Sequence, residues 1–343
     1  MRRLLMTALR TLELEDGPQP EIPPGWLRLD MTASGLGLTQ LQLLSGSTST
    51  GGLPRVLGHE MVGRVSELGA GVAAPAVGSL VVVDCLFGCG RCDRCLEGSE
   101  VVCPAFRMIG YTIDGGYAEQ VVVPAANAFV LPDGIRTEEA VMLASAVPSA
   151  VRAVRRADIR PGRRVAVIGA GSVGDLIAQV ARASGAHVIL ADTDASRLRD
   201  VSAHAQATIH LSRDDSAAKM REAIGGDLGA DVVFEAAGSR DALELAMSLT
   251  RPGGTLMAVG LPPGALAFAE KTVREAVVQE ITVRGTFAYS RTDFPQVIGL
   301  YEQGHLDLAA TMADPVRLAD VPSVAQEMFE RGTSGRRHPV LVR

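Results

Sequence analysis

The 343 residues amount to two domains of the ~150-residue size that a single hydrophobic core supports. Hydrophobic residues make up 47% and charged residues 21%, the balance of an ordinary globular protein, which excludes disorder as the main state. A net charge of -6 with 4% aromatic residues supplies neither a basic field for phosphates nor rings for stacking bases, so nucleic acid is not an expected partner.

The opening stretch, Met1 to Arg10, imitates a signal peptide, but its apolar part is too short and Glu13, Glu15 and Asp16 follow at once. It predicts a first strand instead. No apolar run approaches the ~18 to 20 residues of a membrane helix, so no membrane attachment is expected. Up to about residue 148, short β-rich segments such as 62–68, 80–84 and 118–124 alternate with Gly and Pro turns. They predict an irregular, mostly antiparallel domain. Five cysteines are an odd number, and four of them crowd into residues 89–103. That distribution points to a reducing cytoplasm with a metal site, not to a disulfide framework.

The arginines at 152, 155, 156, 160, 163 and 164 are expected on the solvated face of one helix and its exit turn. From Arg163 the pattern changes to short apolar runs alternating with amphipathic stretches: RRVAVIG, SVGDLIAQVARASG, HVILAD, DASRLRDVSA, ADVVFEAAG and GGTLMAVG. Such alternation predicts right-handed βαβ units around a buried parallel sheet, an α/β architecture. From about Ser290, FPQVIGLYEQG and VPSVAQEMFERG read as helices and loops returning to the first domain.

Gly169-Ala-Gly171-Ser172-Val173-Gly174 follows an apolar strand and opens a helical stretch, the context of a dinucleotide-binding turn. Gly169 permits the tight turn, Gly171 lets the backbone approach a pyrophosphate, and Gly174 allows close helix packing. Asp192 ends the next strand, about 20 residues on, where a carboxylate accepts both adenosine ribose hydroxyls and repels a 2'-phosphate. NAD(H) is therefore expected over NADP(H). Cys89, Cys92 and Cys95, with Cys103 after seven further residues, suit a closed tetrahedral zinc site of structural role.

These motifs, with Gly58-His59-Glu60 before Val62, Gly63 and Val65, DGGYAE at 114–119, ADVVFEAAG at 230–238 and RPGG at 251–254, resemble the zinc-containing medium-chain dehydrogenase/reductase family. The resemblance to these alcohol dehydrogenase relatives spans essentially the whole chain. It implies a GroES-like β-rich catalytic domain over 1–148 and 290–343, with a structural zinc lobe at 85–104. It further implies a Rossmann doubly wound NAD-binding domain over 149–289, an interdomain cleft, and a homodimer or homotetramer. The cofactor site it implies takes in Ser149, Gly169, Gly171, Ser172, Val173, Gly174, Asp192, Arg197 and Val259.

The family's catalytic zinc is held by a Cys in a CG(S/T)DxH stretch, by the His of GHE, and by a later Cys or carboxylate. Here Gly37 stands where the first Cys belongs, Gln40 and Gln42 replace the Asp and the relay His, and Thr39 is kept. Ser145 aligns with the later ligand. A catalytic zinc needs about three protein ligands and an open position, and His59 with Glu60 cannot supply them. Cys85 is read as a buried pocket wall, with a rescuing ligand as the alternative. His59 is either a hydrogen-bonded cleft residue or a proton donor. The expected substrate pocket includes Gln42, Cys85 and Ser145, and the expected catalytic groups are Thr39, His59 and Glu60. The expected function is NAD(H)-dependent hydride transfer without a catalytic zinc, to an activated C=C, iminium or carbonyl of a small molecule. A conventional zinc alcohol or polyol dehydrogenase with unusual ligands and a non-catalytic nucleotide-binding protein are the alternatives.

Overall fold

A computed structural model describes residues 1–48, 51–212, 215–225, 228–261, 270–331 and 338–342. Gly332, the last residue of the expected VPSVAQEMFERG helix, lies outside the described residues. The chain divides into two units, one of residues 1–148, 289–302 and 312–343, the other of 149–288 and 303–311. The first is GroES-like and β-rich, the second a Rossmann sheet, as the sequence predicts.

The first unit is organised by the strand Trp26–Leu36, in which Leu27, Leu29 and Met31 alternate inward, the period-2 signature of a half-buried strand. Along one edge it pairs antiparallel with Met61–Leu68. Its two halves also take different partners, Gln120–Pro124 beside Trp26–Asp30 and His338–Leu341 beside Ala33–Leu36. The last of these is a strand where the sequence reading expected only helices and loops. Its four residues carry too short a pattern to separate from a loop without the partner they pair with. Strand Arg2–Ala8 forms where the signal-like opening was read as a strand, pairing with Thr11–Asp16. The core here is Leu4, Met6, Leu27, Leu29, Met31, Val62, Val81 and Val83, all fully buried.

In the second unit six parallel strands run in the order Ala207–His210, His187–Asp192, Arg164–Ile168, Ala230–Glu235, Thr250–Ala258, Thr282–Gly285. The order reverses between Arg164–Ile168 and Ala230–Glu235, the point at which connections leave a parallel sheet toward opposite faces and the usual ligand position in such sheets. Val, Ile and Leu fill both faces of the central strands, because helices cover the sheet on either side. Helix Ser172–Ala183 buries Leu176, Ile177, Val180 and Ala181, a spacing of one, three and four that marks a helix face turned to a core.

Gln303–Thr311, inside the stretch expected to return to the first domain, groups with the second unit. Gln179 holds it there, accepting from the Asp307 backbone N–H at 2.7 Å and donating to its carbonyl at 3.1 Å. Arg152 corrects another expectation. It is 5% exposed, not on a solvated face, whereas Arg155 is exposed. The helix that carries both has one inward face, and 152 falls on it.

Candidate functional site

The nucleotide turn is built from three glycines with three different surroundings. Gly169 has φ +106°, a left-handed conformation that only glycine adopts freely, and a Cβ there would sit 2.9 Å from the Ala236 backbone. A Cβ on Gly174 would meet the Gly169 carbonyl oxygen at 1.8 Å, whereas one on Gly171 would face open space. Gly171 is the N-cap of helix Ser172–Ala183 and has extended backbone. The N–H groups of the helix's first turn have no carbonyl four residues earlier and point out of its end. Ser172 is buried and Val173 half-buried on that turn. The open space at Gly171 and those donors fit a pyrophosphate.

Asp192, 6% exposed, ends the neighbouring strand. Its Oδ2 accepts from the Ala170 N–H at 2.7 Å and its Oδ1 from the Asp194 N–H at 2.8 Å. A carboxylate carries about four acceptor positions, so two backbone donors leave capacity for ribose hydroxyls. Asp194 caps helix Ala195–Asp200, accepting from the Ser196 and Arg197 N–H groups. Those donors hold its carboxyl below the usual range. The cap fixes where the helix starts and so sets Arg197, whose guanidinium lies 3.8 Å from Asp192 Oδ2.

Sequence reasoning missed Glu235, 1% exposed at the end of its strand. Its Oε1 accepts from the Ala237 and Gly238 N–H groups at 2.9 and 2.7 Å. Its backbone carbonyl accepts from Val259 and Gly260. Burial lifts its carboxyl above the usual range against those N–H donors. Glu235 thus ties Val259 to the loop that follows its own strand. Its position inside the ADVVFEAAG motif was the available signal. Ser149, near the start of the unit, is half-buried.

In the first unit, Sγ atoms of Cys89, Cys92, Cys95 and Cys103 all lie within 4.8 Å of one another. A tetrahedral ion with Zn–S bonds of 2.3 Å separates its sulfurs by about 3.8 Å, and Cys92 lies 3.6 Å from Cys95 and 3.7 Å from Cys103. The Cys103 sulfur also accepts from the Cys89 and Ala105 N–H groups. Backbone N–H groups of Arg91 and Cys92 lower the Cys89 thiol to about 6, while burial raises Cys95 to about 12. The donor set and its spacing fit a closed structural zinc.

His59 and Glu60 are 2% and 0% exposed, with His59 Nε2 3.8 Å from Glu60 Oε1. The side chain hydrogen-bonded to His59 is Gln40, whose Nε2 lies 2.7 Å from His59 Nδ1. Gln40 sits on helix Leu38–Ser45, where Gly37 is the N-cap and Gly46, with φ 76°, ends the helix. Thr39 and Gln42 are half-buried on the same helix. Cys85 is fully buried and its sulfur lies 3.1 Å from the Tyr289 hydroxyl. Burial pushes its thiol well above the usual range. Beside it, burial lifts the Asp84 carboxyl to about 8 although the Leu86 N–H opposes this. Ser145 is half-buried after the turn Val141–Ala144. Among the described residues, the four lobe cysteines are the one group of three or more His, Cys, Asp or Glu side chains close enough to share a metal ion. Around His59 no third such side chain completes a group of that kind among the described residues.

Residues 23–133 match the alcohol dehydrogenase GroES-like domain and residues 172–303 match the zinc-binding dehydrogenase domain. The chain is 35% identical over 293 residues to L-galactonate-5-dehydrogenase of Escherichia coli strain K12, covering 84% of each protein. It is 29% identical over 330 residues to an alcohol dehydrogenase of Geobacillus stearothermophilus, covering 95% of each. Its fold superposes on an alcohol dehydrogenase of Thermus sp. ATN1 with a TM-score of 0.90, at 27% identity and over 100% of both chains. Together with the glycine turn and the cysteine lobe, these likenesses show that the chain belongs to the zinc-containing medium-chain dehydrogenase/reductase family and is an oxidoreductase of that family.

Proposed function

We propose that this enzyme transfers hydride between NAD(H) and a small molecule without a catalytic zinc ion. The observation that carries this reading is the donor set around His59. Gly37 offers no side chain, Gln40 engages the ring at Nδ1, and no third metal-ligating group stands within reach among the described residues. The bound nicotinamide supplies or accepts the hydride at its ring carbon. The chain's own groups must bind the substrate and manage the proton.

Carbonyl reduction builds alkoxide character that a metal ion or strong donors would stabilise, whereas hydride addition to an iminium neutralises an existing charge and a polarised C=C delocalises the new one. The last two classes suit this donor set better. In a carbonyl reduction, hydride adds to carbon and a proton adds to oxygen. Thr39, His59 and Glu60 are the groups proposed to hold or deliver that proton, directly or through water. Gln42, Cys85 and Ser145 are proposed to line the substrate pocket. Five cysteines, none of them in a disulfide, suit a reducing cytoplasm, and among the described residues no helix is long and apolar enough to cross a membrane.

The test is metal counting with turnover. One zinc per chain is expected, and Cys92→Ser should lose it with a drop in melting temperature. Chelation that leaves the lobe loaded should leave turnover intact. A second zinc at His59, or chelation that abolishes turnover with the lobe loaded, would instead establish an unconventional zinc dehydrogenase. No turnover with any carbonyl, iminium or enoyl substrate would leave a nucleotide-binding protein.

The Asp192 carboxylate supports a preference for NADH. Opposite an added 2'-phosphate it should favour NADH over NADPH by roughly tenfold or more, an energy that two like charges at about 4 Å exceed at the lower effective dielectric near a protein surface. Titration of both cofactors reads this ratio. Asp192→Asn should narrow it, and equal affinities in the unaltered protein would remove the assignment.

A homodimer or homotetramer is proposed from the edge of the parallel sheet. Strand Thr282–Gly285 is exposed along its length, and Val273, Val277, Val278, Val283 and Phe287 are each more than half exposed. An open edge with an apolar neighbourhood is normally covered. Light scattering that finds a monomer would exclude it.

A further inference from the structure

We infer that Gln40 fixes His59 as a neutral imidazole with its proton on Nε2, which makes Gln40 a positioning residue for the reaction. The inference deepens the zinc-free reading and rests on it, since a metal ion on Nε2 would displace that proton. The orientation of the Gln40 amide follows from its other partner. The Gly37 backbone N–H lies 3.0 Å from Gln40 Oε1, and an N–H can only donate, so the atom facing it is the carbonyl oxygen. The amide NH2 is thereby turned to His59 Nδ1 at 2.7 Å. An NH2 group can only donate as well, so Nδ1 carries the lone pair and the ring proton is on Nε2.

Burial makes this arrangement hard to reverse. Gln40 is 0% and His59 2% exposed, so water does not stand in for a lost partner. Turning the amide over would set its NH2 against the Gly37 N–H. Protonating Nδ1 would set one donor against another. On the far side of the ring, Glu60 Oε1 lies 3.8 Å from Nε2, and a carboxyl oxygen there attracts a proton on that nitrogen. The Glu60 carboxyl packs against Gly35, its Oε2 filling the space where a side chain at that position would begin. A carboxylate at position 40 would do the opposite. It would accept from an Nδ1–H and leave the Nε2 lone pair available.

Two consequences follow for the chemistry. With Nδ1 committed to Gln40 and Nε2 protonated, the ring has no lone pair to offer a metal ion. As a neutral imidazole it serves as a hydrogen-bond donor from Nε2, since giving up its one proton would leave an imidazolate. Of the three groups proposed to handle the proton, Glu60 can deliver one when its carboxyl is protonated, and the Thr39 hydroxyl can relay one by taking a proton from water as it gives one up, while His59 keeps its own proton and orients or polarises.

Long-range proton–nitrogen correlation spectra of the full chain, labelled with nitrogen-15 and carrying its lobe zinc, read the tautomer directly. The His59 ring is assigned by its loss in His59→Gln or, should that variant not fold, by assigning the other five histidines through single substitutions. The expected pattern at neutral pH is a protonated Nε2 with a bare Nδ1, inverted to a protonated Nδ1 in Gln40→Glu. A bare Nε2 or a doubly protonated ring in the unaltered protein would overturn the inference, as would an unchanged pattern in Gln40→Glu. Zinc is counted on the same samples. A bare Nε2 with one zinc per chain defeats the Gln40 lock and leaves the zinc-free reading standing. A second zinc on Nε2 defeats both.

Discussion

Gly174→Ala is expected to abolish NADH binding and to destabilise the dinucleotide unit, while Gly171→Ala leaves the fold intact and weakens only the cofactor. The added methyl at 174 would stand 1.8 Å from the Gly169 carbonyl oxygen, with the Ala236 side chain at 3.4 Å behind it. The nearer atom is backbone and cannot rotate away. Helix Ser172–Ala183 must lift from the turn, and overpacking of this kind costs about 1 to 3 kcal/mol or more. At Gly171 the same methyl meets nothing within 4 Å, and the φ of -72° is open to any residue. Its methyl would occupy the space proposed for the pyrophosphate. Thermal unfolding and NADH titration on both variants separate the two effects. Gly171→Ala should keep the melting temperature and lose at least about tenfold in affinity, about 1.4 kcal/mol. Unchanged affinity in that variant would remove the phosphate role of this turn.

Asp175→Ala should cost about 3 to 5 kcal/mol, the scale for stripping one partner from a buried ion pair. Asp175 is fully buried on the first turn of helix Ser172–Ala183, and its Oδ1 lies 2.6 Å from His204 Nδ1. Gln179 donates to its other oxygen at 2.8 Å, and His204 Nε2 faces Asp307 Oδ2 at 3.3 Å. The pair joins helix Ser172–Ala183 to the turn Ser202–His204 and to the returning segment 303–311. Its pH dependence has a definite sign. The hydrogen bond to Asp175 raises His204 above its ordinary 6.5. The folded protein therefore binds that proton more tightly than the unfolded chain. The stabilisation is complete below about pH 6.5 and is lost as pH rises through the folded value. Burial raises Asp175 above 3.8, which acts in the same direction at lower pH. The melting temperature should fall from pH 6 to pH 8 in the unaltered protein, with a flatter profile in His204→Asn. A profile as steep in that variant would assign the slope elsewhere.

The neighbours along the chain were enough for the parts of this protein that are local. Alternating Val, Ile and Leu runs predict the parallel sheet because a strand covered on both faces has no polar side. The glycine turn reads from sequence because its need for positive φ and missing side chains acts within six residues. The cysteine lobe reads because four thiols within fifteen residues reach one ion without help from distant segments. The departure of Gly37 and Ser145 from the family's ligand pattern was visible for the same reason, as a break in a local motif.

Tertiary structure alone decided what those residues touch. Gln40 read as an unremarkable replacement in a broken motif until the fold placed it against His59, nineteen residues on. Nothing local in SVGDLIAQVARASG marks Asp175, and only the packing of residues 202–204 and 303–311 made it one half of a buried ion pair. Tyr289 meets Cys85 across 204 residues of chain. Arg152 left the solvated face because its side of the helix is the one that packs. In each case periodicity carries no record of the partner, because a side chain's protonation, burial and role depend on which distant group the fold brings to it.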